Sequence, residues 1–204
     1  ELVPVPPEYI GGEFYYKDSE DEDSIAACLF EEIDINELTI LKQQDRRRFK
    51  LEDALTSPKI AIIRNAIMRF ILGACIRRLQ NVAENKYPEK YSFIVHTEQS
   101  KGSHEWQETV VTELKNQLQE ALDKDPVILD HLIGEAYNDL QKSILACESL
   151  LPKQAEVEQA VYQALREDYI MITTVNSEKD VNQLLDEHGQ LKLRAPLNVF
   201  IGGQ

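Results

Sequence analysis

Three short runs of β-branched and aromatic residues constrain the fold of this chain more than any other feature. They are YSFIVHT at 91–97, YIMITTV at 169–175 and LNVFI at 197–201. Each run has the length and composition of a buried strand, and helical stretches or polar loops separate them. Short apolar strands connected through helices are typical of a parallel, covered sheet. The sequence therefore predicts an α/β fold with parallel strands.

Helices are predicted on both sides of the first strand. Thr56-Ser57-Pro58 is a helix start with proline at the first helical position. The apolar residues that follow predict a helix over 59–79 that is buried on most sides. Periodic apolar residues later in the chain predict helices over 104–122, 127–150 and 152–166, and a short helix within 176–188.

The N-terminal part differs in composition from the rest. Residues 1–41 contain 12 acidic residues and one lysine, and three prolines lie among the first seven residues. Because proline disfavours a helix, we interpret residues 1–41 as an extended acidic linker. Residues 42–90 are then a basic segment with the buried helix, and residues 91–204 form the α/β part. Since the chain begins with Glu and ends with Gly-Gly-Gln, we interpret it as a piece of a longer protein.

The charge distribution limits the partners of the chain. A net charge of −14 argues against non-specific binding to DNA or to a membrane surface by the chain as a whole. Residues 42–80 are the exception, with ten basic and three acidic residues. The longest apolar stretch, 60–79, contains four arginines, so no membrane span is expected.

The sequence contains no familiar catalytic or metal motif. A GxxxxGK[ST] phosphate loop, HExxH and GxSxG are missing, and the four histidines are far apart, so we predict no catalytic residue and no metal site. The three cysteines are Cys28, Cys75 and Cys147. They are scattered and form no CxxC pair, which favours reduced thiols in a cytoplasmic protein.

Small or polar residues follow each predicted strand. These pairs are His96-Thr97, Asn176-Ser177 and Gly202-Gly203. They are either ordinary loop residues or one face that binds a nucleic acid or a nucleotide, because ligands of open parallel sheets bind beyond the carboxyl ends of the strands. Backbone amides in a tight Gly-Gly turn can bind an anion. Gly202 and Gly203 are therefore candidate nucleotide-binding residues, provided that the chain continues and folds around them.

The loop after the first strand is the candidate nucleic-acid contact. Thr97, Ser100 and Ser103 have hydroxyl groups, and Lys101 carries a positive charge. A helix that begins at His104 would add the partial positive charge of its first turn. These groups fit one or two phosphates of a single strand that is bound without base recognition. The alternative for Ser103 is that it only caps the helix.

Arg77 is a further candidate for contact with nucleic acid. Arg77 and Arg78 are adjacent, so on a helix they point about 100° apart and cannot both lie on the buried face. Arg77 either lies on the surface and stabilises the end of the helix, or reaches a phosphate or the acidic linker.

Four stretches, in this order along the chain, resemble one known family. They are PPEYIGGEFYY at 6–16, MRFILGACIRRLQ at 68–80, YSFIVHTEQSKGSHEWQ at 91–107 and NVFIGGQ at 198–204. In that family the corresponding segments are, in the same order, an extended opening segment, an apolar helix that ends in Ile-Arg-Arg-Leu, a strand that ends in His-Thr and the start of an Ile-Gly-Gly segment. Together they resemble the Z-one (Z1) domain, which occurs in proteins described as endonucleases and is attached there to a superfamily-two helicase core.

The resemblance implies a place in a larger machine. Residues 91–204 would be part of the second RecA-like lobe of the helicase, with a largely helical insert at about 127–166. The parent protein would bind DNA, use ATP and Mg²⁺, and pack its other domains against this one. The chain has no phosphate loop and ends before the family's Arg-Gly, so no ATP turnover is expected from it alone. The alternative is a non-catalytic module whose acidic surface and helices bind other proteins.

Overall fold

The computed structural model describes residues 12–21, 23–45, 47–97, 100–175, 182, 184–187, 189 and 192–202. The protein has a mixed α/β structure, mostly helical, with a three-stranded parallel sheet. Its helices are α1 (Ile35–Lys42), α2 (Ala61–Ala83), α3 (Lys101–Lys124), α4 (Pro126–Ala146) and α5 (Gln154–Arg166). Its strands are β1 (Tyr91–Val95), β2 (Ile170–Val175) and β3 (Leu197–Gly202).

The parallel sheet predicted from the three apolar runs is confirmed. The strand order is β1-β3-β2, and β3 pairs in parallel with both neighbours. Leu197 at the start of β3 is opposite the first residues of both other strands, Tyr91 and Ile170. All three strands therefore begin at one edge of the sheet and end at the other.

The central strand β3 is covered on both faces. Its residues 197–201 are all buried, including Asn198 and Phe200, which alternate with the aliphatic residues. Helix α3 packs against β2 and β3, and Phe70 of α2 stacks on Phe93 of β1 with ring centroids 5.5 Å apart. Burial on both faces explains why β3 is an almost continuous apolar run, whereas β1 leaves Ser92 and Ile94 exposed.

Helix α2 is the central helix of the molecule, as its wide apolar surface predicts. It packs against α4 and α5, and residues of these helices share one hydrophobic core with the strands. Helices α4 and α5 occupy most of the region that the sequence predicts to be helical at about 127–166. None of the described helices is long and apolar enough to cross a membrane. The division of the chain into parts at residues 41 and 90 stays a prediction.

The extended conformation predicted for residues 1–41 is wrong for the described part. A π-helical turn at Glu13–Lys17, two 3-10 turns and α1 occupy much of it. The prolines on which the prediction depends lie before residue 12, outside the described residues. Further along, Ser24 and Asp34 begin helical turns because their side chains accept hydrogen bonds from backbone amides two residues on, at 3.1 and 2.7 Å.

The acidic segment is bound to the helical core by specific polar contacts. Arg69 of α2 forms ion pairs with Glu31 and with Asp139 of α4, the latter at 2.7 Å. The Glu37 carboxylate accepts a hydrogen bond from the amide of Ile62 at 2.8 Å, which satisfies a donor in the first turn of α2. These contacts explain how a strongly acidic segment folds against the protein.

Candidate nucleic-acid interface

The carboxyl ends of the three strands lie side by side at one edge of the sheet. Val95 pairs with Ile201, and Val175 pairs with Gly202. Just beyond β1, Nδ1 of His96 donates a hydrogen bond to the carbonyl oxygen of Gly202 at 2.9 Å. The polar residues predicted after β1 and β3 therefore do meet, as expected for parallel strands. The residues predicted after β2, Asn176 and Ser177, are outside the described part of the chain.

Gly202 has a structural reason to be glycine. Its φ is +150°, and a Cβ atom at this position would lie 2.0 Å from the carbonyl oxygen of Val175. Its own carbonyl accepts the His96 hydrogen bond. Among the described residues, no group of three or more His, Cys, Asp or Glu side chains could hold a metal ion. Gly203 lies outside the described residues, and nucleotide binding at this pair stays a prediction.

Gln107 of α3 connects Thr97 to its surroundings. The Thr97 hydroxyl is half-buried and accepts a hydrogen bond from Nε2 of Gln107 at 2.5 Å. Gln107 is buried, and Nε2 also lies 3.3 Å from the carbonyl oxygen of Leu41. Its Oε1 atom is buried and has no hydrogen-bond partner among the described residues. Thr97 is therefore fixed by α3, and its hydroxyl is only partly accessible.

Helix α3 begins three residues earlier than the sequence predicts, at Lys101 instead of His104. Ser100 is its N-cap residue, although the Ser100 side chain makes no capping hydrogen bond. Ser100 and Lys101 are exposed. Ser103 lies in the first turn, is 2% exposed and donates its hydroxyl hydrogen to the carbonyl oxygen of Lys42 at 2.8 Å. Ser103 therefore does not cap the helix, which was the alternative to a phosphate contact. Its contact with nucleic acid stays a prediction.

Side chains of α3 satisfy the free carbonyl groups at the end of α1. The last carbonyl oxygens of a helix have no partner within the helix. The carbonyl oxygen of Ile40 accepts a hydrogen bond from Trp106 Nε1 at 2.8 Å, and that of Leu41 accepts one from Gln107 Nε2 at 3.3 Å. The carbonyl oxygen of Lys42 accepts one from Ser103 Oγ at 2.8 Å. The chain that leaves α1 is thereby held beside the first turns of α3.

We define the basic loop as residues 42–45, 47 and 48, the part of that chain which the structure describes. Phe49, which follows the loop, is buried and packs edge-to-face on Trp106 with ring centroids 6.3 Å apart. Within the loop, the Asp45 carboxylate accepts a hydrogen bond from the Arg47 amide at 3.0 Å, and the Asp45 carbonyl accepts one from the Arg48 amide at 3.0 Å. The backbone bond from Arg47, with the charges of Arg47 and Arg48, lowers the pKa of Asp45 below its usual value. The basic loop is therefore folded and fixed at both ends.

Two open clefts lie beside the basic loop. One of about 700 Å³ separates it from the start of α3 and is lined by Lys42, Ser100 and Trp106, among others. The other, of about 550 Å³, is lined by Arg47 and Arg48. Gln43 and Gln44 line both clefts, which are therefore adjacent. Sequence reasoning noted the positive charge of this segment but did not place it at the binding face.

Arg77 lies away from these groups. Its guanidinium donates a hydrogen bond to Oε1 of Gln80 at 2.7 Å, and that of Arg78 donates to the carbonyl oxygen of Glu89 at 2.7 Å. Glu89 precedes β1, so the arginines are near the edge where the strands begin. A five-residue strand separates that edge from Thr97 by about 16 Å. The structure does not bring Arg77 together with the other candidates, and its contact with nucleic acid stays a prediction.

These features define an α/β domain with a small parallel sheet. Helices pack against the sheet, and its strands end at one polar edge. A family model described as the Z1 domain matches residues 62–204, more than half of the chain. The chain therefore belongs to the Z1 domain family, which confirms the resemblance to that domain. The match begins within α2, so α1 and the basic loop precede it. Comparison with curated proteins and with solved structures gave no match.

Proposed function

We propose that this Z1 domain is the nucleic-acid contact domain of a larger helicase-like, DNA-acting enzyme, where it forms part of the second RecA-like lobe. One observation supports this more than any other. Three parallel strands end side by side, linked by the bond between His96 and Gly202, and exposed Ser100 and Lys101 lie at the start of the helix that follows β1. Ligands of parallel sheets bind at this edge.

The chemistry of this edge suits a strand that is bound through its backbone. Lys101 supplies a charge, Ser100 and Thr97 supply hydroxyl groups, and the first amides of α3 supply donors. Contacts of this kind fix a phosphate backbone in position and carry no sequence information. The ATP and Mg²⁺ that the parent enzyme would use, and its endonuclease activity, belong in this proposal to other domains of the parent chain.

A second candidate function is a protein-interaction module without catalysis. Its support is a group of large apolar side chains that are exposed just before α1 and at its first residue. Leu29 is 51% exposed and Phe30 43%, and Ile33 and Ile35 are exposed as well. Exposed apolar patches of this kind mark binding surfaces for other proteins.

Binding of the chain to fluorescein-labelled oligothymidylate, followed by anisotropy at low salt, tests the proposal. Lys101→Ala should weaken binding, whereas the matched variant Lys124→Ala should not, because Lys124 is at the other end of α3, about 35 Å away. Both variants remove one exposed lysine. No binding by the wild-type chain, or equal binding by wild type and Lys101→Ala, would contradict the proposed contact face and leave the second candidate.

A further inference from the structure

We propose that the basic loop, residues 42–45, 47 and 48, forms a second wall of the nucleic-acid site and holds the phosphate backbone of a strand through Arg47 and Arg48. This inference rests on the proposed function, because it extends the contact face from the start of α3 across the adjacent clefts. It adds a segment that lies outside the residues matched by the Z1 family model.

The position of the loop is the first argument. The α3 side chains that bind the carbonyl oxygens of residues 40–42 fix where the loop begins, and the contact between Phe49 and Trp106 fixes where it ends. Gln43 and Gln44 line the cleft that Ser100 also lines, and they line the cleft with Arg47 and Arg48 as well. A strand on Ser100 and Lys101 therefore has a continuous path to the two arginines.

The charge of the loop is the second argument. The side chains of Arg47 and Arg48 are 94% and 63% exposed, and both share one partner, Asp45, at 3.5 and 3.6 Å. One carboxylate cannot neutralise two guanidinium groups, so a positive charge remains at the surface. Among the described residues that line the two clefts, the acidic ones are Asp45 and Glu105. Guanidinium groups bind phosphate in a bidentate manner and suit this position better than lysine would.

The order of the loop is the third argument. Asp45 accepts backbone hydrogen bonds from Arg47 and Arg48, so the two arginines extend from a turn that is already formed. A preformed turn lowers the entropy that is lost when the arginines bind a ligand. Trp106 lines the cleft but is only 7% exposed, so it cannot stack on a base. The site should therefore bind phosphates with little preference between bases.

The test compares Arg47→Ala/Arg48→Ala with Lys86→Ala/Lys124→Ala in the whole 204-residue chain. Both pairs lower the net charge by two, and each removed cation has a carboxylate partner at the surface. At 50 mM salt the arginine variant should bind oligothymidylate on the order of 10- to 100-fold more weakly than the wild type does. The slope of the logarithm of its binding constant against the logarithm of the salt concentration should be smaller in magnitude by about 1.4. The lysine variant should bind like the wild type.

Trp106 gives an independent measurement because it is the single tryptophan of the chain and lines the cleft. Oligothymidylate should change its fluorescence in the wild type and in the lysine variant, but much less in the arginine variant. Arg47→Lys/Arg48→Lys keeps the charge and should recover only part of the affinity, since lysine lacks the bidentate geometry. Circular dichroism melting curves should show that all variants are folded.

Three results would overturn the inference. If the wild-type chain binds no strand, the proposed function and this inference both fail. If the wild type binds, Lys101→Ala weakens binding and the arginine variant binds normally, the inference alone fails. If polyglutamate displaces the labelled oligothymidylate as effectively as unlabelled oligothymidylate of equal charge does, the loop is a docking surface for acidic proteins and the inference is wrong.

Discussion

Ser103 in the first turn of α3 donates its hydroxyl hydrogen to the carbonyl oxygen of Lys42, the last residue of α1, at 2.8 Å. The two residues are 61 positions apart in the chain. This bond connects the acidic N-terminal segment, the basic loop and the polar edge of the sheet, because α3 begins directly after the loop that follows β1. It also explains why Ser103 is buried in a part of the chain whose sequence is typical of a surface loop.

The first prediction concerns the two serines at this helix start. Ser103→Ala should lower the free energy of unfolding by about 1 kcal/mol, because a buried hydrogen bond to the Lys42 carbonyl is lost. Ser100→Ala should change it by less than about 0.5 kcal/mol, because the exposed Ser100 side chain makes no capping bond. Urea unfolding followed by circular dichroism measures both. A larger loss for Ser100→Ala would mean that Ser100 is the residue that stabilises the helix start.

The second prediction concerns the end of β3. Gly202→Ala should destabilise the protein by more than about 3 kcal/mol or prevent folding, because the new Cβ atom would lie 2.0 Å from the carbonyl oxygen of Val175 at a φ of +150°. Gly73→Ala is the matched control, since its new Cβ would meet only Leu140 Cδ1, at 3.9 Å. It should be neutral or stabilise α2 by about 0.5–1 kcal/mol. Equal stability of the two variants in urea would refute the close approach of β2 and β3.

The sheet could be predicted from the sequence because its information is local. The runs at 91–97, 169–175 and 197–201 are short and rich in β-branched and aromatic residues, so each is recognisable as a strand without knowledge of its neighbours. Parallel strands then require that the residues after them share one edge, which led correctly to the vicinity of His96 and Gly202. The order β1-β3-β2 depends on contacts between distant residues and was not predicted.

The parts that were missed depend on long-range contacts. Helix α1 has only eight residues, too few for a stable isolated helix, and its last carbonyl groups are satisfied by side chains from α3 more than 60 residues away. For the same reason the sequence could not distinguish Ser100 from Ser103 as the start of α3. The positive charge of residues 42–48 was visible in the sequence, but its position beside α3 follows from the same contacts.

The third prediction is a pH dependence at the turn between α5 and β2. The ammonium group of Lys115 lies 2.6 Å from Oδ1 of Asp168 and lowers the pKa of that carboxyl group, first by its hydrogen bond and then by its charge. A carboxyl group whose pKa is lower in the folded state stabilises the protein above its unfolded pKa of about 3.9. This contribution is lost as the pH falls from there through the folded pKa.

Asp168→Asn tests this dependence because asparagine tolerates the positive φ of 54° at this position. At pH 7 the variant should be less stable than the wild type by about 0.5–1 kcal/mol, a modest value because the Asp168 side chain is 63% exposed. The difference should shrink as the pH is lowered below about 4. Glu120→Gln, which removes the exposed pair with Lys124, is the control and should show little difference at either pH. A pH-independent difference for Asp168→Asn would contradict a role for the charge.

The fourth prediction concerns the three thiols. Burial raises the pKa of the Cys75 thiol to about 12, and its side chain is 4% exposed within α2, whereas Cys28 and Cys147 are exposed. Because the thiolate is the reactive form, Ellman's reagent at pH 8 should label two thiols rapidly and the third only when urea unfolds the protein. The Cys28→Ala/Cys147→Ala variant should have no rapid phase, and its single slow phase should follow global unfolding. Rapid labelling of a thiol in that variant would show that α2 opens locally, which the central position of this helix in the core argues against.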